Sequence, residues 1–296
     1  MSALDEPGLD KIGLDEPGKD ELVVRVSGHG FDFGFKRLLR GWPVLVLLTA
    51  FISAVLTAFG FIGTTWMATG SAFLEISFAH PLGTNALGQD LLAQSCQALL
   101  ALFVGALPGA ALGFAVGVGA GVCAGWRLHG ALDQIICFAC DLFEGLPGYL
   151  MMVLLALLMH YAKLGTAILF AALFWPSAAR VLRVATAQLI AAPFMDAATL
   201  VGTRVATRVR WHLLPNLQLI LAALALLILG SCIRAQMILG FIGLDTQARP
   251  SLGAMLYSGT QDALSFHFTT LLVALGMSIL LLLALDSLAR RLAPSR

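Results

Sequence analysis

Charge is what this chain has least of. Of its 296 residues, only 12% are Asp, Glu, Lys or Arg, about half the share of roughly 25% usual in soluble domains. Hydrophobic residues make up 59%, and the mean hydropathy is +0.89. That combination excludes a soluble globular protein and implies an integral membrane protein. Lysine is scarcer still: none of the four lysines follows a Gly-x-x-x-x-Gly-Lys-Ser/Thr pattern, so the chain lacks the phosphate loop by which many ATPases hold nucleotide. Nucleotide hydrolysis by that route is excluded on this chain, and no cofactor is expected on it. No His-Glu-x-x-His, no Gly-x-Ser-x-Gly and no paired zinc motif occurs, which argues against a membrane hydrolase and against a bound metal. The five cysteines fall within or beside apolar segments. Cys137-x-x-Cys140 has no second pair or nearby histidine to complete a site, so these thiols are read as packing residues.

What the chain does have is length without charge. Residues 41–74, 91–126, 211–233 and 263–285 are charge-free, and each exceeds the ~20 residues that cross ~30 Å of hydrocarbon. Runs 145–162 and 164–179 are shorter; they become spans if the first begins near Asp141 and the second ends near Arg183, with terminal charges snorkelling. The expectation is therefore six transmembrane helices in an all-α protein. A β-barrel is excluded, because its strands would be ~10-residue segments of alternating pattern.

Positive charge is distributed unevenly between the loops. With a cytoplasmic N-terminus, the inner segments hold Lys36, Arg37, Arg40, Arg127, Arg180, Arg183, Arg204, Arg208, Arg210, Arg290, Arg291 and Arg296, and the outer ones only Lys163 and Arg249. The positive-inside rule therefore puts both termini in the cytoplasm. Residues 1–40 form an acidic cytoplasmic segment that repeats Leu-Asp-Glu-Pro-Gly at 4–8 and 14–18; without apolar periodicity it reads as a solvated tail. Its acidic start is unlike a signal peptide. Residues 41–292 form the membrane domain, and 293–296 a short cytoplasmic tail.

One polar stretch interrupts the apolar pattern. Residues 196–215 run Asp196-Ala197-Ala198, three residues, Gly202, nine residues, then His212-Leu213-Leu214-Pro215. Asp196 suits the positive end of a helix dipole, Gly202 a break, and Pro215 the first turn of a following helix. The reading is a short helix, a turn and a second helix: a compact knob at the membrane face, within a loop spanning 191–215.

This stretch resembles the "EAA" loop of the permease subunits of bacterial ABC importers, in which the pattern is Glu-Ala-Ala, three residues, Gly, nine residues, Ile, any residue, Leu-Pro. Asp196 stands for the Glu and His212 for the Ile, while Ala197, Ala198, Gly202, Leu214 and Pro215 match in register. His80-Pro81-Leu82-Gly83-Thr84-Asn85-Ala86-Leu87-Gly88-Gln89-Asp90 is similar to the His-x-Leu-Gly-Thr-Asp-x-x-Gly-Arg-Asp signature of the C-type subunits of the dipeptide, oligopeptide and nickel importers. Asn85 and Gln89 replace the Asp and Arg, so an ion pair available in relatives is missing here. The resemblance continues through 141–147 and 239–244 to Gly253-Ala254-Met255-Leu256, and covers about residues 40–292.

The resemblance implies a type I ABC importer permease fold with a cytoplasmic coupling helix, in the bacterial inner membrane. It implies that Asp196, Ala197, Ala198, Gly202, Leu214 and Pro215 couple to an ATPase. It further implies a second permease subunit in a heterodimer, two ATP-binding subunits and a periplasmic substrate-binding protein, working by alternating access. The substrate class would be peptides or similar small solutes. Membrane lipid surrounds the chain, and nothing points to nucleic acid. The alternative is a secondary transporter or channel not driven by ATP, which is expected to place acids at mid-membrane and to show two similar halves; neither is present.

Other features stand out from the residues alone. Gly105, Gly109, Gly113, Gly117, Gly121 and Gly125 recur every four residues, so on a helix they share one face fit for close helix contact. Packing within the subunit is favoured over a seam with the partner. Pro108 in the same span predicts a local kink. Arg234 sits in the fifth apolar span, where a charge facing lipid costs ~2.5–3.5 kcal/mol. It either lines the translocation path or holds a neighbouring helix through Asp133, Asp141, Glu144 or Asp286. Asp141 and Glu144, three apart, share a helical face as a gate, a structural pair or interfacial groups, with the structural role favoured. His160, His267, Trp66 and Trp126 read as boundary residues.

Overall fold

The computed structural model describes residues 41–61, 70–145, 147–159, 165–244 and 250–292. The acidic segment 1–40, Trp66, His160, Lys163, Arg249 and the tail 293–296 lie outside the described residues. Within them the regular structure is helical, apart from one isolated antiparallel bridge between Thr84 and Asp90 in the irregular 70–90 segment. The helices in order are α1 Trp42–Ala58, α2 Leu91–Trp126, α3 Ala131–Glu144, α4 Gly148–Met159, α5 Gly165–Ile190, α6 Pro193–Leu200, α7 Val205–Arg208, α8 Leu214–Ile242, α9 Leu252–Leu264 and α10 Thr269–Leu292. A π-helical turn, Val209–Leu213, joins α7 to α8.

Among the described residues, four helices are long and apolar enough to cross a membrane: α2, α5, the continuous 205–242 helix and α10. A fifth exists if α3 and α4 count as one broken span, since they meet at a bend of 82°. The break falls at 145–147, where Pro147 supplies no N–H to carry a helix through. The expected span beginning near Asp141 is therefore not one straight helix. The first apolar run holds the 17-residue α1, somewhat short of the ~20 residues for a full crossing. It closes where the Phe61 N–H reaches the Leu56 carbonyl across Gly60.

The spine of the molecule is the pairing of α2 with α5. The glycine face of α2 makes it: a Cβ at Gly109 would lie 2.7 Å from Phe170 Cβ, at Gly117 2.6 Å from Ala178 Cβ, and at Gly121 2.6 Å from the Ala179 carbonyl oxygen. Gly113 lies against Ala171 and Gly125 against Arg183 and Thr186, while Gly105 is buried on the same helix. Close backbone approach gains dispersion contacts that no side chain could make in that gap. Gly119, off this face, has nothing within 4 Å of its Cβ position. α2 continues through Pro108 as one helix. Around this spine, α8 packs on α2 with the buried Gln236 donating to the Ala101 carbonyl at 3.0 Å, and α1, α9 and α10 complete one apolar core.

Candidate functional site

The 193–215 region forms a projecting knob. Pro193 opens α6 and Asp196 lies in its first turn, where a carboxylate is favoured by the helix dipole. Asp196 and Ala197 are exposed, Ala198 is half-buried, and Met195 is buried and anchors the helix inward. The helix stops at a Schellman motif: the Thr203 N–H reaches the Ala198 carbonyl at 3.2 Å and the Gly202 N–H the Thr199 carbonyl at 3.0 Å. Gly202 takes φ +79° with nothing within 4 Å of a Cβ, so its requirement is conformational rather than spatial.

The returning helix begins earlier than the Leu214-Pro215 signal predicts. It starts at Val205 and runs to Ile242, with Pro215 exposed in the second position after the π turn. The correction has a local cause. Proline cannot donate to the preceding turn and its ring crowds the carbonyl four residues back. The wider turn just ahead of it, closed by the Leu214 N–H to the Val209 carbonyl, absorbs that mismatch. His212 is half-buried, its carbonyl accepting from Asn216 Nδ2 at 2.6 Å.

Large apolar side chains project from this otherwise polar knob: Leu200 is 89% exposed, Val201 82% and Trp211 68%. Behind them Arg208 ties the knob to the bundle. Its guanidinium lies 5.5 Å from the centroid of Trp126 at the end of α2, and Nη1 donates to Thr199 Oγ1 of α6 at 2.5 Å. Neither contact is legible from the motif; Trp126 reads from the sequence only as a boundary residue.

The acidic residues of α3 face the arginines of α5. Arg180 Nη2 bonds Asp141 Oδ1 at 2.6 Å and Glu144 Oε2 at 2.9 Å. Arg183 grips the buried Asp133 through two of its three nitrogens, Nε to Oδ1 and Nη2 to Oδ2 at 2.8 Å, and the His129 N–H adds a bond of 2.8 Å to Oδ2. Asp286 pairs with Arg290 on its own helix. All four acids proposed as partners for Arg234 are thus occupied. Arg234 donates to Ser231 Oγ at 2.9 Å and, among the described residues, forms no salt bridge. It lines a cavity of about 420 Å³ with Glu144, Tyr149, Phe174 and Ser231.

At the opposite end, the 80–90 segment folds around its glycines and amides. A Cβ at Gly88 would fall 2.2 Å from the Gly70 carbonyl oxygen, so only glycine fits that crossing. Asp90 caps α2, accepting from the Leu92 N–H at 2.8 Å, and contacts His80 Nδ1 at 3.2 Å. Asn85 Nδ2 donates to Gln89 Oε1 at 2.9 Å and to Gln94 Oε1 at 3.3 Å. A neutral amide network thus joins the two positions at which the family signature has Asp and Arg. His267 stacks on Phe73 with centroids 3.7 Å apart, which joins this segment to the α9–α10 turn. Gly253, in the last motif, presses α9 onto α8: its Cβ would fall 2.1 Å from the Met237 carbonyl oxygen.

Comparison with known proteins gives consistent results. The family model described as "binding-protein-dependent transport system inner membrane component" matches residues 117–296. The oligopeptide transport system permease protein OppC of Mycobacterium tuberculosis (strain ATCC 25618 / H37Rv) is 30% identical over 222 residues, covering 69% of this chain and 70% of that protein. OppC of Escherichia coli (strain K12) is 30% identical over 221 residues, covering 74% and 72%. The dipeptide transport system permease protein DppC of Bacillus subtilis (strain 168) is 29% identical over 198 residues, covering 66% and 61%. Among solved structures, a chain of the MetNI methionine ABC transporter in an inward-facing conformation aligns with TM-score 0.50 at 20% identity, over 69% of this chain and 96% of that chain. That last likeness is one of fold.

Proposed function

The chain belongs to the family of inner-membrane components of binding-protein-dependent transport systems, and from that premise we propose that it is the translocating subunit of an ATP-driven peptide importer. It is a multi-pass inner-membrane permease. In this reading it is non-catalytic: ATP and Mg sit on two partner ATP-binding subunits, a periplasmic binding protein delivers solute, and a second permease subunit supplies the other half of the path. The fold is read as a type I importer permease with six spans, α1 and the broken α3–α4 pair each counting as one. Both termini are cytoplasmic in this reading.

One observation carries the coupling role: a short helix capped by Gly202, with Leu200 and Val201 exposed at its end and Trp211 exposed on the π turn that follows. A chain has little reason to keep apolar side chains on a polar knob unless a partner covers them. Asp196 and Ala197 lie on the exposed part of that helix, and Arg208 and Pro215 connect it to α2 and α8. Movement of the knob then bears directly on the two longest helices of the bundle.

The test is co-purification of the assembled complex. Asp196→Lys reverses the charge offered to the ATPase without touching the core, and Gly202→Trp disturbs the cap. Both variants are expected to insert and fold, to recover less ATPase, and to lose substrate stimulation of ATP hydrolysis. A docking loss of ~1.4 kcal/mol is tenfold in affinity, which pull-down yields register. Normal ATPase recovery with normal transport in both variants would make residues 193–215 a passive loop.

A further inference from the structure

Arg234 and the cavity it lines need a further explanation. The residue lies on α8, eight positions from Ile242, about 12 Å along the axis at 1.5 Å per residue. It is flanked by apolar stretches, where an uncompensated guanidinium is costly. Asp133, Asp141, Glu144 and Asp286 are each paired with another arginine, and Asp262 accepts from the Thr270 hydroxyl. Among the described residues its hydrogen-bond partner is the Ser231 hydroxyl, an acceptor without charge. Arg234 is exposed and lines the cavity, and a guanidinium carries five donors, more than one hydroxyl can satisfy.

The cavity wall is built for more than water. Phe143, Tyr149, Met152 and Phe174 supply apolar and aromatic surface, and Glu144, fixed by Arg180, adds one negative group to the positive one. The α3–α4 break borders it through Glu144 and Gly148. Irregular backbone at membrane depth is stable where it lines such a space. A volume of about 420 Å³ lies in the range that holds small ligands, roughly 300–1,000 Å³. We propose that this cavity is a subsite for the free carboxylate end of a short peptide, with Arg234 as its anion-binding residue and Glu144 facing the cationic part of the same zwitterion. This deepens the permease reading and rests on it. A guanidinium grips a carboxylate through paired N–H bonds, and it carries the peptide's charge past the apolar section of the path.

Uptake by the whole reconstituted complex tests it, with L-alanyl-L-alanine and L-alanyl-L-alaninamide as probes. The delivery protein is identical throughout, so its own preference cancels when acid-to-amide uptake ratios are compared between wild type and Arg234→Gln. The ratio is expected to fall by roughly tenfold, the loss of one charge-assisted pair. An unchanged ratio would overturn the proposal, whether total uptake stays normal or falls equally for both probes. ATP-independent uptake by the wild-type complex would instead overturn the permease reading itself. A second measurement does not need the Arg234 variant. Ser231→Cys, beside the guanidinium, should react several-fold faster with an anionic sulfonate thiosulfonate than with a cationic trimethylammonium one, and alanyl-alanine should protect it. Equal or reversed rates, measured against the parent chain, would overturn the proposal as well.

Discussion

Gly202 and Gly119 show how differently single glycines contribute. At Gly202 a side chain has room, but φ is +79°, a conformation costing an L-residue about 1–2 kcal/mol. Gly202→Ala should therefore leave the subunit assembled and lower its thermal stability slightly, while weakening ATPase recovery because the knob changes angle. On the α2 face, Gly121→Val should do the opposite: its Cβ would lie 2.6 Å from a backbone oxygen of α5, so the bundle should fail to form and little folded subunit should be recovered by size-exclusion chromatography. Gly119→Val on the same helix, with open space around it, should be recovered near wild-type yield. Equal recovery of the two valine variants would show that α2 and α5 do not meet through the glycine stripe. The stripe was legible in the sequence because a repeat of four maps onto one helical face. Its partner was not, because spacing within one helix carries no information about which neighbour fills the groove.

At the level of elements, α3 is sewn to α5 by two clusters, Asp133–Arg183 and Asp141–Glu144–Arg180. Asp141 and Glu144 could be read as a pair from their spacing, but Arg180 and Arg183 read only as charges that orient the chain. Spacing alone does not link them, because Arg180 takes both Asp141 and Glu144 while Arg183 takes Asp133. Breaking the buried pair leaves one charge unpaired, so Asp133→Ala should cost about 3–5 kcal/mol, seen as a large drop in the temperature at which the detergent-solubilised subunit aggregates. Arg183→Ala should cost as much, and the double alanine variant less than the sum of the two. Additive losses would mean the residues do not act together. Helix boundaries were the less legible part. Pro215 signals a helix start by its chemistry, yet Val205 begins the helix because a π turn accommodates the proline. Likewise six apolar runs were plain, while the bend at 145–147 leaves the third of them as the short α4, set at 82° to the α3 that precedes it.

Across the whole molecule, the knob and the amide-bound 80–90 segment occupy opposite ends of the bundle. The first lies at the C-terminal end of α2 beside Trp126, and the second caps its N-terminal end through Asp90. On the proposed orientation, with both termini cytoplasmic, a cysteine at Leu87, which is 67% exposed, should react with an impermeant reagent added outside, and one at the exposed Thr207 should not. Thr84 is a poor probe despite its place in the motif, since it is 1% exposed and bonded to Leu74 and Ser71. The reverse labelling pattern would put the knob outside, beyond reach of any ATPase.

The most direct measurement is site-specific photo-crosslinking of the assembled complex from Leu200, the most exposed apolar residue of the knob. A photoreactive residue there should give an adduct containing an ATP-binding subunit, whereas the same residue at Leu87 should not. No ATPase adduct from Leu200, in a complex that still co-purifies with its ATPase and hydrolyses ATP, would mean that the energy source docks elsewhere and that residues 193–215 do not couple it to transport.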